Sequence, residues 1–379
     1  MLDFTFHNPT TIVFGKTAMD QIAAYSSRYG KKIVLTYGGG SIKKNGIYDK
    51  VKAQLARFEV CEFGGIAPNP RVETLRKCVE LCKEFQPDLI LAVGGGSTID
   101  GSKLISAAAR YDGDAWDLVI NQIRIENPIP LATVLTLSAT GSEMNPGAVI
   151  TNWTENIKLA YLVSDCYPVF SILDPQNTFS LPQDQTAYGT VDIFSHVLEQ
   201  YLNQDVHAPI QDRFAEGILL TLIENGPIAL KNPNDYDARA NLMWASTLAL
   251  NKLIGAGVPQ DWATHGIEHQ LSAFYDIPHG AGLAIVTPRW MDEVYPTKLA
   301  KFVQYGQRIW GIEAAGEQCA RLARQKTFDF FQSLGVRMHL KDWNIDSTHF
   351  SVMVERTAGK IGETPLNKDQ ILRILDACL

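Results

Sequence analysis

The sequence predicts a Rossmann-like, doubly wound parallel α/β half over residues 1–178 and an all-helical half over residues 179–379. Three observations carry this expectation. Up to the "LDP" of Leu173–Pro175, short β-branched runs alternate with glycine-rich turns and helical periodicity. Beyond it strand-like alternation nearly vanishes, and apolar residues recur every 3.6 positions. Two copies of Gly-Gly-Gly-Ser, Gly38–Ser41 and Gly94–Ser97, end apolar runs that read as buried strands.

In chain order, "TFHNPTTIVFG" reads as an extra hairpin or edge strand. "KKIVLTYGGGS" reads as a strand and turn leading into the helix "IYDKVKAQLARF". The helix "ETLRKCVELCKEF" precedes the strand "PDLILAVGGGS", which opens into the helix "TIDGSKLISAAA". "PIPLATVLTL" runs to the turn "SATGSE", and "PVFSILDP" closes the series. The helical half follows as "TAYGTVDIFSHVLEQYL", "QDRFAEGILLTLIENGPIAL", "ARANLMWASTLALNKLI" and "EQCARLARQKTFDFFQSLG". Two such halves imply a cleft between them, a common seat for a ligand.

The chain has 379 residues, 46% hydrophobic and 20% charged, with a formal net charge of -7. An acidic balance without a basic stripe argues against nucleic acid as a main partner. No apolar run reaches the roughly 20 residues of a membrane span. The opening "MLDFTFHNPTTIVFG" lacks the basic and apolar regions of a signal peptide. Cysteines 61, 78, 82, 166, 319 and 378 form no Cys-x-x-Cys pair, so they read as reduced and the protein as cytoplasmic.

The glycine turns carry chemistry. Without Cβ atoms, backbone N–H groups can close on an anion, and the following helix aims its positive end at the same point. A pyrophosphate fits. Ser97 offers a hydroxyl, and Asp100 lies in the helix's first turn. The fingerprint Gly-x-Gly-x-x-Gly is not met, because Ile99 stands at its third glycine. Either turn alone reads equally as a tight strand–helix connection. A third turn, Thr136–Asn145, adds Thr136, Thr140, Ser142 and Asn145 as small polar groups and favours a ligand. An acidic residue after the first strand would bind the adenine ribose and repel a 2′-phosphate. Here stand glycines, Ser41, Lys43 and Lys44, which point to NADP(H) rather than NAD(H). The bland alternative is a pair of lysines on a solvated helix start.

Three of eight histidines, His265, His269 and His279, fall within fifteen residues. His265 and His269 lie four apart on one helical face, and Asp192 and His196 repeat that spacing. These five are candidate ligands for Fe²⁺ or Zn²⁺. A single histidine is more often a satisfied structural residue, and His7, His207, His339 and His349 are read so. "HGIEH" also matches the inverted zincin pattern, with Glu268 as general base. That reading explains neither the glycine turns nor the Asp192/His196 pair.

On these motifs, together with "YGGGSIKKNGIYD", "EFGGIAPNPRVETL", "GVPQDWATH" and "PHGAGLAIV", the chain resembles the iron-dependent alcohol dehydrogenases, in particular their NADP-dependent butanol dehydrogenase and aldehyde reductase branch. The resemblance covers nearly the whole chain. It implies a dehydroquinate synthase-like architecture, a homodimer, and interconversion of short-chain aldehydes and primary alcohols with NADP(H). It implies metal ligands Asp192, His196, His265 and His279, with His269 beside the metal as the catalytic residue. For the cofactor it implies Gly95, Gly96, Ser97, Asp100, Thr136, Thr140, Asn145 and Lys158, with Ser41 and Asn69. Gln270, following His269, departs from the pattern and bears on substrate preference. The other enzyme on this architecture, a lyase of the dehydroquinate synthase type, needs a Lys/Arg cluster that "TVDIFSHVLEQ" and "DWATHGIEHQ" lack.

Overall fold

A computed structural model describes residues 1–162 and 165–379. Its strands are β1 (Thr11–Phe14), β2 (Lys32–Tyr37), β3 (Glu59–Phe63), β4 (Leu89–Gly94), β5 (Leu131–Leu135), β6 (Ala148–Asn152), β7 (Ile157–Tyr161) and β8 (Phe170–Leu173). Six of them form one parallel sheet in the order β1-β8-β5-β4-β2-β3, while β6 and β7 pair antiparallel as a separate ribbon.

The central strands are apolar on both faces because both faces are covered. Ile33, Leu35 and Tyr37 of β2 join Leu89, Leu91 and Val93 of β4 in one core, with Ile47 and Val51 packed over them. Val34, Ile90 and Ala92 point the other way, into a core with Leu104, Val79 and Leu118. The alternation follows from the two-residue period of a strand.

The connection order matters more than the layers. From β2 the chain steps outward to β3, returns through helix Val72–Phe85 to β4 on the other side of β2, and continues to β5 and β8 in that direction. The winding therefore reverses between β2 and β4. In an open α/β sheet, ligands lodge outside the carboxyl ends of the strands at such a reversal. Both Gly-Gly-Gly-Ser turns leave these two strands.

Three strands were not anticipated. β3, "EVCEF", is an edge strand whose polar residues mask its pattern, and the β6–β7 ribbon follows the Thr136–Asn145 turn. The "TFHNPTTIVFG" segment supplies an edge strand, β1, beside β8; its pairing is parallel rather than a hairpin.

The helical unit contains Gln183–Tyr201, Pro209–Lys231, Ala263–Tyr275, His279–Val294, Leu299–Trp310, Gly316–Ser333, Phe350–Thr357 and Lys368–Ala377. The units do not divide at one point between 178 and 179. His7–Leu181 and Pro233–Thr247 form the α/β unit; Met1–Phe6, Pro182–Asn232 and Leu248–Leu379 form the helical one. Packing decides this. Met243 is fully buried in an α/β core and Thr247 donates to Glu143 Oε1 at 2.5 Å, whereas the Leu2 N–H donates to the Gly257 carbonyl. All six cysteines are free, and no described helix is long and apolar enough to cross a membrane.

Candidate functional site

Within the helical unit, Asp192 and His196 lie one turn apart on helix Gln183–Tyr201, both buried. His265 stands in the first turn of helix Ala263–Tyr275. That helix stops at Asp276, which takes a left-handed conformation (φ 52°), and Pro278 starts the next helix, so His279 becomes its first residue. Gly280 lets this turn approach helix Gln183–Tyr201: a Cβ there would sit 2.2 Å from the Tyr188 carbonyl oxygen.

These elements converge on one oxygen. Asp192 Oδ1 lies 3.3 Å from His196 Nδ1, 3.8 Å from His265 Nε2 and 3.6 Å from His279 Nε2. Asp192, His265 and His279 each offer a ligand atom within 4.8 Å of the others. His196 stands against Asp192 and the His265 ring, 4.5 Å between centroids, outside that tight triangle.

Asp192 Oδ1, His196 Nδ1 and His265 Nε2 are buried without a hydrogen-bond partner. Leaving such groups unsatisfied costs about 1–3 kcal/mol each. One oxygen and the imidazole nitrogens around it match the donor set of a divalent ion such as Fe²⁺ or Zn²⁺, which would satisfy all three. The residues present fit a metal.

Electrostatics agrees. Burial alone would raise the Asp192 carboxyl, but the surrounding histidines pull it down to about 2. Burial pushes His196 down to about 4, so its imidazole is neutral at pH 7. Burial would also lower His265; Glu199 and Asp192 overcome that and raise it to about 10. A charged carboxylate and a neutral imidazole suit a cation, and the carboxylates around His265 enrich that ring as well.

Glu199 and Glu268 were not anticipated as partners of the histidines. Glu199 Oε2 faces His265 Nδ1 and Glu268 Oε2 faces His279 Nδ1; both glutamates are fully buried. The zincin reading of Glu268 is thereby corrected. A general base must reach water, but the Glu268 carboxylate is enclosed and accepts from Ser272 Oγ as well. The available signal was spacing: Glu199 follows His196 by three residues, and Glu268 follows His265 by three.

His269 is half-buried, its ring 5.8 Å from that of His279 and 6.3 Å from that of His265. Trp262, in the left-handed region at φ 60°, sets its ring 5.4 Å from His265 and 6.1 Å from His196. Of the remaining histidines, His349 stacks on Phe274 and His339 lies against Phe328, away from this group.

Within the α/β unit, the three small-residue turns form one assembly. Helix Gly96–Ala108 begins immediately after β4, and no side chain caps its N-terminus. The Thr136 N–H donates to the Gly94 carbonyl at 3.0 Å. A Cβ on Gly96 would fall 2.4 Å from Thr140 Oγ1, and one on Gly94 would fall 2.4 Å from Thr98 Oγ1. That same Thr98 hydroxyl is 3.6 Å from where a Cβ on Gly38 would be. Ser97 is half-exposed and Ser41 exposed.

Asp100 and Asn145 turn inward. The Asp100 carboxylate accepts from Ser142 Oγ at 2.5 Å and from the Val149 N–H at 2.8 Å, and burial raises its pKa. Asn145 donates to the Gly141 carbonyl and accepts from Lys103 Nζ and the Gly147 N–H. Both build the third turn rather than reach out of it. Lys103, which the motif reading missed, ties them together: its buried ammonium donates to Ser142 Oγ, Asn145 Oδ1 and the Gly147 carbonyl. Lys158 Nζ donates to Asn69 Oδ1 at 3.0 Å, and both residues are buried.

Comparison with known proteins places this geometry in context. Residues 9–175 match the model for iron-containing alcohol dehydrogenase, and residues 186–379 match that for the C-terminal part of the Fe-containing alcohol dehydrogenase family. The chain is 46% identical over 384 residues to NADH-dependent butanol dehydrogenase A of Clostridium acetobutylicum, covering 99% of each. It is 48% identical over 360 residues to the NADPH-dependent aldehyde reductase YqhD of Escherichia coli, covering 94% of this chain and 93% of that one. The crystal structure of NADH-dependent butanol dehydrogenase A from Thermotoga maritima superposes with a TM-score of 0.96 at 39% identity, covering 100% of this chain and 99% of that one.

Proposed function

Because the chain belongs to the iron-containing alcohol dehydrogenase family and interconverts alcohols and aldehydes, we propose that it uses NADP(H), with Asp192, His196, His265 and His279 holding one divalent cation. The carrying observation is the convergence of buried, unpartnered Asp192 Oδ1, His196 Nδ1 and His265 Nε2, with His279 Nε2 3.6 Å from that oxygen.

When bound, the cation polarises the aldehyde carbonyl and the nicotinamide supplies hydride. The chain's own residues prepare both. Asp192 contributes the one negative charge of the ligand set, so a divalent ion keeps a net positive charge toward the substrate oxygen. Gly95, Gly96 and Ser97 offer backbone N–H groups and a hydroxyl to the pyrophosphate at an uncapped helix start. Thr136 and Thr140 flank that point, and Asp100, Asn145 and Lys103 hold the Thr136–Asn145 turn from behind. Lys158, braced by Asn69, adds positive charge for phosphate oxygens. His269, half-buried beside His279, passes a proton to the product oxygen during aldehyde reduction and takes it back in the reverse direction.

Relatives carry both cofactor names, so the preference rests on residues. Gly39 and Gly40 leave open space where a carboxylate would reject a 2′-phosphate, and Ser41 and Lys43 stand exposed beside it. The carboxylate near the end of β3, Glu62, is engaged by Tyr48 and Lys52. The free cysteines and the family resemblance support a cytoplasmic homodimer, checked by light scattering.

The test is metal analysis of protein purified without added metal, paired with absorbance at 340 nm using butanal and either NADPH or NADH. One ion per chain and faster turnover with NADPH are expected. A metal-free active protein rejects the ligand set, and a clear NADH preference rejects the cofactor choice.

A further inference from the structure

Two of the three helices that supply the proposed ligands carry a carboxylate that faces a histidine on another helix. Helix Gln183–Tyr201 presents Asp192, His196 and Glu199, a spacing of four and then three that keeps all three on one face. Glu199 does not join the first two at the ligand cluster. It reaches His265 Nδ1 on helix Ala263–Tyr275 and also accepts from the Thr264 N–H at 2.7 Å. Helix Ala263–Tyr275 repeats the arrangement: three residues after His265, Glu268 reaches His279 Nδ1 on helix His279–Val294. Its other oxygen accepts from Ser272 Oγ. The third helix is shaped to receive it, since a Cβ on Gly282 would lie 2.8 Å from Glu268 Cγ and 3.0 Å from Oε1.

We propose that Glu199 and Glu268 are positioning residues that fix the tautomers of His265 and His279 and set how tightly the centre holds its cation. The proposal rests on the ligand assignment above. Neutral imidazole carries one N–H. A carboxylate facing Nδ1 draws the hydrogen there and leaves Nε2 bare. Nε2 is the nitrogen that lies 3.8 Å (His265) and 3.6 Å (His279) from Asp192 Oδ1. Both glutamates are fully buried, so their pull on the rings is little screened by water. Each makes the imidazole more electron-rich and prevents its rotation. The His-x-x-Glu-His string of residues 265–269 is thus a ligand followed by the orienting group for the next ligand.

The experiment measures Zn²⁺ affinity by competition with a chromogenic chelator, and the visible spectrum of Co²⁺-loaded protein, for wild type, H265A, E199Q, E268Q and S272A. The glutamines keep shape and remove charge. Each should weaken Zn²⁺ binding by about 10- to 100-fold and shift the Co²⁺ bands, with metal-free circular dichroism unchanged. S272A leaves the Glu268 charge in place but removes the Ser272 donor from its second oxygen. It should weaken binding several-fold, and it decides the matter if E268Q does not fold. Affinities within twofold of wild type for the glutamine variants, or for S272A where E268Q does not fold, overturn the proposal. If wild type binds no ion, or H265A binds as tightly, the ligand assignment itself fails. If wild type binds, H265A does not and the other variants match wild type, only the positioning role fails.

Discussion

The ammonium of Lys103, fully withdrawn from solvent on helix Gly96–Ala108, lies 3.1 Å from Oδ1 of Asn145 across the turn that follows β5. It also donates to Ser142 Oγ and the Gly147 carbonyl, while Ser142 Oγ donates to Asp100. Removing the ammonium takes a charged donor from three buried acceptors at once. Lys103→Met should therefore cost about 3–5 kcal/mol of stability and raise the Michaelis constant for NADPH. Urea unfolding and steady-state kinetics check both; a variant as stable as wild type with unchanged cofactor affinity contradicts the role.

Substitutions at the ligand histidines and at His269 should part company. His265→Ala or His279→Ala should lose both metal and turnover, because three remaining ligands hold the ion poorly. His269→Ala should keep the metal and lose rate, by about 10²-fold if it relays the proton. Metal content and single-turnover rates distinguish them, and metal loss in the His269 variant would mean that the ligands are wrongly assigned.

Gly96→Ala places a Cβ 2.4 Å from Thr140 Oγ1, a separation that forces the two turns apart. The expected result is a rise of about tenfold in the NADPH Michaelis constant, roughly 1.4 kcal/mol, with metal content unchanged. An unaltered constant would show that this approach does not shape the cofactor site.

Gly39 has no atom within 4 Å of an added Cβ, so a side chain fits there. Gly39→Asp should repel a 2′-phosphate and favour a free ribose hydroxyl. The ratio of kcat/KM for NADPH over NADH should fall by about tenfold or more, or 1.4 kcal/mol and above. An unchanged ratio would place the adenine ribose elsewhere.

Arg76 and Asp114 form a two-pronged pair at 2.7 and 2.8 Å, and Asp114 also caps helix Ala115–Ile120 through the Trp116 N–H. The Arg76 hydrogen bond holds the Asp114 carboxyl below its usual range. A depressed carboxylate stabilises the fold above its unfolded pKa, and that stabilisation disappears as pH falls through the folded value. Arg76→Met should cost about 0.5–1 kcal/mol at pH 7, given partial exposure. The gap from wild type should close as pH drops below about 3.9. A constant gap down to pH 2 would refute the pairing.

Much of the fold was legible because burial on both faces leaves β2, β4, β5 and β8 almost purely apolar, with glycines closing β2 and β4. β3 escaped because an edge strand tolerates the charged Glu59 and Glu62 within five residues. The division of the chain also escaped, since whether Pro233–Thr247 joins one core or the other depends on where Met243 is buried. At the site, spacing showed that Asp192 and His196 share a helical face, but local periodicity stops at the end of each helix. It cannot tell which side chains from different helices meet.

The sequence by itself determined the four buried strands β2, β4, β5 and β8, the helical character of the second half, the three small-residue turns and the histidine-rich segment, because these depend on residues a few positions apart. Only the tertiary structure decided that the winding reverses between β2 and β4, that Asp100 and Asn145 face inward, and that Glu199 and Glu268 each face a histidine on another element. Those outcomes depend on which surfaces pack together once the chain has folded. Hydrogen bonds such as that from Lys103 to Asn145 span 42 residues, a distance at which spacing carries no information.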